Sequence, residues 1–447
     1  MSCLDAYHVQ FFATTKGAES ASSGGSIMTV WSSTDDGYAN LSLHDSFING
    51  PPLNTFARLR RDDPVAWCDY ADGKGFWSVT RHADILMLNR DTELMSSAQG
   101  IRMEDQTYEE YLARRTFQET DPPDHTKVRR LLQKAFSAPV VQQFDRQIRD
   151  LCNMILDRAF QSREIDAVSE IARELPMRML GQILGLPEKD LDWLVSRGDR
   201  LMANSDPDFT SHVIDKVDTE AYRLMPFRSP AGVELYDYAD TLMADRAASG
   251  ESPGILGLLL QPDENGNVMS KREFQNFFCL AVAAGNDTTR YSIAAALHAV
   301  TQQPELLEQM RSGENKVWET APDEFVRWAS PATYFRRTAT RDVEMHGKTI
   351  KAGDKVLYWW VSGNRDETAF DAPNRVNILR TPNRHVGFGQ GGPHICLGMW
   401  LARLEIRVLM QEFVRRVKVA EQIAPHAYVR SNFVGGIKRL PIRLTLN

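Results

Sequence analysis

From Ser270 to about Gln303 the chain carries one uninterrupted helical pattern, opened by a capping box, S-x-x-E, at Ser270 and Glu273 and closed by Pro304. Such a helix would be close to about 50 Å long, enough to cross a large domain. Its middle, CLAVAAGNDTTRYSIAAAL, is mostly small and apolar and must therefore be covered on nearly every side. A chain built around that element needs further helices to pack against it.

Those helices are legible. From Ser137 the run SAPVVQQFDRQIRDLCNMILDRAF puts Val141, Phe144, Ile148, Leu151 and Ile155 on one face, which predicts about six turns with Ser137 as cap and Pro139 in the first turn. ELPMRMLGQILGL reads as a buried helix stopped by Gly185 and Pro187, and LPEKDLDWLVSRGDRLM as its amphipathic successor. Strand signals are fewer: GFWSVTR near residue 75, VEMHGKTIKAGDKVLYWWVS from Val343 with a short hairpin, and the tail RLPIRLTLN. The expected fold is mainly α with small β-sheets, one large domain threaded by a long central helix.

Length alone, 447 residues, suggests about three domains. No Pro/Ser/Gly linker or internal repeat divides the chain, so the expectation is a flexible leader over residues 1–35, with Met28 as a conceivable start, and one domain over 36–447. The leader lacks a basic n-region with a long apolar core, so it does not read as a secretory signal. The net charge of -7 disfavours a general nucleic-acid binder, and no run of roughly 18 apolar residues suggests a membrane span. Cys3, Cys68, Cys152, Cys279 and Cys396 are scattered with no C-x-x-C pair, which fits a cytoplasmic protein.

Chemistry concentrates in three places. In HVGFGQGGPHICLGMWLARLEIRVLMQEF five glycines surround Cys396, and a helical run begins just after Gly398. Amides at a helix start stabilise a thiolate. A phosphate cradle is excluded by the missing G-K-[ST] ending, which leaves a backbone that passes close to something flat or bulky. In the long helix, Ala284-Gly285-Asn286-Asp287-Thr288-Thr289 puts an acid and an alcohol at a buried position. The Thr288 hydroxyl can bond back to the Ala284 carbonyl, and a bulge beside Gly285 would open a groove faced by both groups. Glu324 and Arg327 pair at i,i+3. His125 and Arg129, one turn apart, and Arg337 are further basic positions. Taken singly, each has a plainer reading as a packing cysteine, a half-exposed polar pair or a solvated face.

Together these segments closely resemble the cytochrome P-450 family of haem-thiolate monooxygenases, from about Pro51 to the end and in the family's order. Phe388-Gly389-x-x-Gly392-x-His394-x-Cys396-x-Gly398 is similar to the haem loop, Ala284-Gly285-x-Asp287-Thr288 to the oxygen-activation segment, and Glu324-x-x-Arg327 to the fold-stabilising pair. The resemblance implies haem b (iron protoporphyrin IX) ligated by Cys396. His125, Arg129, Arg337 and His394 would bind its propionates, with Phe388, Gly389 and Gly398 shaping the loop around it. It implies Asp287 and Thr288 as the proton-delivering pair, Ala284 and Gly285 as the lining of the oxygen groove, and Glu324, Arg327 and Arg380 as a structural network. Leu280, Ala283, Ala284, Thr333, Phe433 and Val434 would face a hydrophobic substrate.

One departure is the extra residue in Gly391-Gly392-Pro393, which resembles members acting on terpenoid, steroid or branched-lipid substrates. Residues 95–119 match the family's variable lid. Its Arg102, Glu104, Asp105 and Tyr108 would either recognise a polar substrate end or, as expected, be solvated surface. No flavin or iron-sulfur segment occurs, so electrons would come from a ferredoxin-type donor with its reductase, docking on Lys127, Arg129, Arg130, Lys134, Arg403 and Arg407. The alternative function is a haem-thiolate ligand-binding or sensor protein, which has no need of the Asp287-Thr288 pair.

Overall fold

The structure is a computed structural model that describes residues 38–447 apart from 251–253, 263–265, 267 and 314. The expected leader lies outside the described residues. In chain order the helices that build the site are α1 (Asp124–Gln133), α2 (Asp145–Ala159), α3 (Glu174–Leu184), α4 (Leu191–Met202), α5 (Pro230–Ser249), α6 (Lys271–Gln302), α7 (Asn315–Ala329) and α8 (Met399–Arg416).

The long helix forms as its sequence predicts. Ser270 Oγ accepts the Glu273 N–H at 3.3 Å, and the Glu273 carboxylate accepts the Ser270 N–H at 2.9 Å, which satisfies two amides that the helix start leaves free. Helix α6 then runs unbroken for 32 residues, about 48 Å. Helices α3, α4, α5, α7 and α8 pack on it, close enough because Ala283, Ala294, Ala296 and Ala299 present almost no side chain and are all buried.

The run from Ser137 covers its six turns in pieces: a turn at Ala138–Val141, a 3₁₀ turn at Gln142–Phe144, then α2. Val141, Ile148 and Ile155 are buried, while Phe144 and Leu151 pack at the rim. Ser137 has the extended backbone of a cap, but its hydroxyl donates to the Lys134 carbonyl and so caps nothing. Helix α3 ends where expected, at Gly185 with φ +76°, a conformation that costs glycine little.

The β pieces lie beside the helices. A five-stranded sheet has the order Val65–Cys68, Phe76–Val79, Lys355–Trp359, Tyr334–Ala339, Met95–Ser96. The tail strand Pro441–Leu446 pairs with Glu164–Asp166 and Val417–Gln422. Val343–Met345 and Lys348–Ile350 form the expected hairpin through His346 and Gly347, both at positive φ as a tight hairpin turn requires. The strand read through YWWVS stops at Trp359; Trp360–Gly363 is a helical turn that carries Trp360 to the site.

Candidate active site

The glycine loop wraps a slot of about 230 Å³ with Cys396 on its wall. The Cys396 N–H donates to the Phe388 carbonyl at 2.7 Å, which pins the loop across its width. Gly389 (φ +73°) lies against Trp360, where a Cβ would come within 2.8 Å of the ring. The extra residue of the loop is absorbed at Gly392, whose Cβ would fall 2.3 Å from the Asn89 carbonyl; the Asn89 side chain in turn donates to the Gly389 and Gln390 carbonyls at 3.1 Å. Burial pushes the Cys396 thiol up, opposed by the Gly398 N–H and by Arg129 and Arg403. The amide that the helix start was expected to offer is therefore in place at the sulfur.

One end of the slot is basic. His125 and His394 stand with ring centroids 4.0 Å apart, and Arg129 and Arg337 line the same slot. Arg129 donates to the Ile395 carbonyl at 2.7 Å and Arg337 to the Arg336 carbonyl at 2.8 Å, and among the described residues neither has an ion pair. Both ring nitrogens of buried His125, and the Trp360 Nε1–H, are shut away without a hydrogen-bond partner among the described residues. Burial, reinforced by the arginines, pushes His125 down to about 4 and His394 down to about 2.

Buried polar atoms of this kind are normally satisfied. Two carboxylates at this end would pair with the arginines, accept from the imidazoles and reverse the depression of both. At Gly398 an added Cβ would meet nothing within 4 Å, so the slot stays open for a broad flat group beside the sulfur. The residues present fit haem: Cys396 would ligate its iron, and His125, Arg129, Arg337 and His394 would take its propionates.

A second cavity of about 360 Å³ shares Ile101, Leu280, Ala284, Thr288, Ala332 and Phe335 with the slot. Leu280, Ala283, Ala284, Phe433 and Val434 line it as expected. Thr333 does not: it is buried, and its hydroxyl donates to the Phe433 carbonyl at 2.8 Å, so neighbouring Ala332 takes the wall position.

Gly285 lines the slot and also lets α3 approach, since a Cβ there would meet Leu180 at 2.9 Å. The expected bulge is absent. Thr288 Oγ1 does donate to the Ala284 carbonyl, at 2.7 Å, but within a regular helix.

Asp287 also departs from expectation. It is buried, lines neither cavity, and pairs with Arg290 at 2.7 Å. Arg290 also pairs with Asp199 of α4, and Asp199 pairs with the partly exposed Arg173 at 2.6 Å, so a chain of charged groups leads from Asp287 to the surface. Burial pushes the Asp287 carboxyl up to about 7, with Arg290 opposing. Arg290, Asp199 and Arg173 carry no local motif, and their pairing depends on how α4 crosses α6.

Behind the slot, Arg327 grips Glu324 with both guanidinium arms at 2.8 Å, and both residues are fully buried. Arg380 at 3.0 Å, the Asn377 N–H at 2.8 Å and Asn383 at 3.1 Å complete the carboxylate's shell. Arg327 spends its remaining donors on the Asn364, Pro373 and Arg375 carbonyls, tying α7 to the chain that leads into the glycine loop.

Another buried acid, Glu405 of α8, lines the slot with Oε2 unpartnered, and burial raises it from 4.5 to about 8. The unfolded chain releases this proton at lower pH than the folded one, so stability falls as pH rises from 4.5 towards 8. Glu405→Gln is expected to flatten that fall and to stabilise the protein at neutral pH by on the order of 3 kcal/mol. Thermal unfolding of both proteins across this range checks it.

A thiol on the wall of a slot with a basic end, opening on a second cavity, is the arrangement of a haem-thiolate protein. Known proteins agree. A family model described as cytochrome P-450 matches residues 317–434. Methyl-branched lipid omega-hydroxylase of Mycobacterium tuberculosis is 33% identical over 398 residues, 87% of this chain and 90% of that one. Linalool 8-monooxygenase of Pseudomonas putida is 33% identical across 91% of this chain and 98% of its own. A Mycobacterium marinum cytochrome P-450 solved in complex with pseudoionone matches with a TM-score of 0.80 at 33% identity, covering 87% of this chain and 94% of that one. The chain belongs to the cytochrome P-450 family: a haem-binding, oxygen-incorporating monooxygenase. Among the described residues no helix is long and apolar enough to cross a membrane.

Proposed function

We propose that the enzyme inserts one oxygen atom of dioxygen into a C–H bond of a hydrophobic small molecule of the terpenoid, steroid or branched-lipid kind, the second atom leaving as water with two electrons and two protons. The observation that carries this reading is the shared wall of the two cavities, where Ala284 and Thr288 face both. Haem, when bound, supplies the redox chemistry that activates dioxygen. The chain's own residues do the rest. Leu280, Ala283, Phe433 and Val434 exclude water and hold an apolar body against the shared wall. Thr288 Oγ1, whose proton rests on the Ala284 carbonyl, relays by turning that proton to the wall and giving it up while accepting a replacement, so that no charge stays on the alcohol. Asp287, near neutrality and joined to the surface through Arg290, Asp199 and Arg173, is the proton source behind it. The substrate kinds named for the relatives fit a cavity with this apolar part.

Purified holoenzyme should first be screened for hydrophobic ligands by the spectral shift on water displacement. Turnover of the best ligand under labelled dioxygen is then expected to place one labelled atom in each product. Product whose oxygen comes from water would refute the reading.

Electrons are proposed to come from a ferredoxin served by a reductase. Of the six basic residues assigned to its docking face, Lys127 pairs with Asp124, Arg403 with Asp323 and Arg407 with Asp145, while Arg129 turns inward. Arg130 and Lys134 are exposed and, among the described residues, carry no ion pair. Replacing both with glutamine is expected to slow electron transfer at low salt and to weaken its salt dependence. An unchanged salt dependence places the docking face elsewhere.

A further inference from the structure

The far wall of the second cavity is polar, and the lid charges expected at a solvated surface are part of it. Arg102, Glu104 and Asp105 line the cavity, while Tyr108 alone of the four is wholly outside, 75% exposed. The Arg102 guanidinium lies between the rings of Phe227 and Phe433, 5.1 Å from each, and donates to Glu104 at 2.8 Å. The cavity is thus two-ended, with an apolar end at the shared wall and a hydrogen-bonding end beneath the lid.

The sign of that second end can be read from its pairings. Among the described residues, six carboxylates and three arginines line the cavity. Every one of those arginines already faces an acid: Arg102 faces Glu104, and Arg228 and Arg114 face Glu110 at 3.2 and 3.9 Å. Among the acids, Asp215 is taken by Arg430 and Asp105 by Lys355. Glu119 has an amide donor, Thr116 N–H at 3.1 Å, but no ion pair among the described residues. Glu104 keeps Oε2 buried without a donor among the described residues. Among the described residues a substrate carboxylate would find no free cation there and would meet Glu104 and Glu119 instead.

The same end holds a donor. His44, 9% exposed, lines the cavity, and its Nδ1 accepts the Asn432 N–H at 3.3 Å. That bond leaves the ring proton on Nε2, for which no acceptor occurs among the described residues. Burial lowers the His44 pKa and so keeps the ring neutral. A group able to satisfy both sides must donate to a carboxylate oxygen and accept from an imidazole N–H. A hydroxyl does both, a carboxylate or ketone only accepts, and an ammonium only donates.

We propose that the substrate is an apolar molecule bearing a hydroxyl at the end remote from the oxidised carbon, the hydroxyl donating to Glu104 and accepting from His44. This rests on the monooxygenase reading above and narrows its substrate class.

The test is a spectral-shift titration of the holoenzyme with n-decanol, n-decanoate and n-decane at a pH where decanoate is ionised. Decanol is expected to bind about tenfold more tightly than either of the others, the margin of one charge-assisted hydrogen bond. Glu104→Gln should shrink the margin over decanoate, and His44→Phe the margin over decane. Decanoate binding as tightly as decanol, in the wild-type protein alone, overturns the proposal whether or not the variants fold. So do margins left unchanged in folded variants. The red-shifted Soret band of the reduced carbon monoxide complex is recorded on each preparation: its absence from the wild type overturns the haem-thiolate reading itself, whereas its presence with no preference for decanol overturns only the hydroxyl assignment.

Discussion

Cys396→Ala is expected to abolish the red-shifted Soret band of the reduced carbon monoxide complex. That band requires a thiolate on the iron, and among the described residues Cys396 is the one cysteine lining the slot. Cys68, Cys152 and Cys279 cannot substitute. Cys68 and Cys152 are buried elsewhere and Cys279 lines the second cavity, not the slot; burial drives each thiol well up, Cys68 to about 12, so none offers a thiolate at neutral pH. The basic end of the slot does not depend on the sulfur, so the variant should retain some affinity for haem through His125, Arg129, Arg337 and His394. A persisting red-shifted band would assign the ligand to another residue.

Arg327→Ala is expected to have the largest effect on stability. It removes both arms from a fully buried carboxylate and leaves the Asn364, Pro373 and Arg375 carbonyls without their donor. Breaking a buried pair from one side costs about 3–5 kcal/mol, because the remaining charge stays desolvated. Arg380 and Asn383 remain on Glu324 and will soften the loss without replacing the fork. Arg327→Lys should rescue little, since one ammonium cannot reach Glu324 and three carbonyls together. Denaturant midpoints and haem content check this; a midpoint within about 1 kcal/mol of the wild type would show that the pair does not hold the fold.

The elements read correctly from sequence were those whose determinants are local. The capping box at Ser270, the run of alanines in α6, the Gly185 stop of α3 and the glycines around Cys396 each state their structure within a few residues. Glu324 and Arg327 were legible as neighbours, although only the fold brings Arg380 to them across 56 residues.

Misreadings came where tertiary packing chose between faces. Asp287 and Thr288 are adjacent in sequence, but one helical step turns Asp287 to Arg290 and leaves Thr288 at the cavity. Thr333 and Ala332 differ in the same way, because strand pairing sends one to backbone carbonyls and the other to the wall. The lid charges looked solvated because no local pattern records that Phe227 and Phe433 close around Arg102.

The central claim is that Thr288, at the meeting of the two cavities, manages protons for oxygen insertion. Product formed per electron consumed, compared between the reconstituted wild type and Thr288→Ala, tests it most directly. The variant is expected to keep its haem and its red-shifted Soret band while diverting most reducing equivalents to peroxide; an unaltered yield per electron would contradict the account.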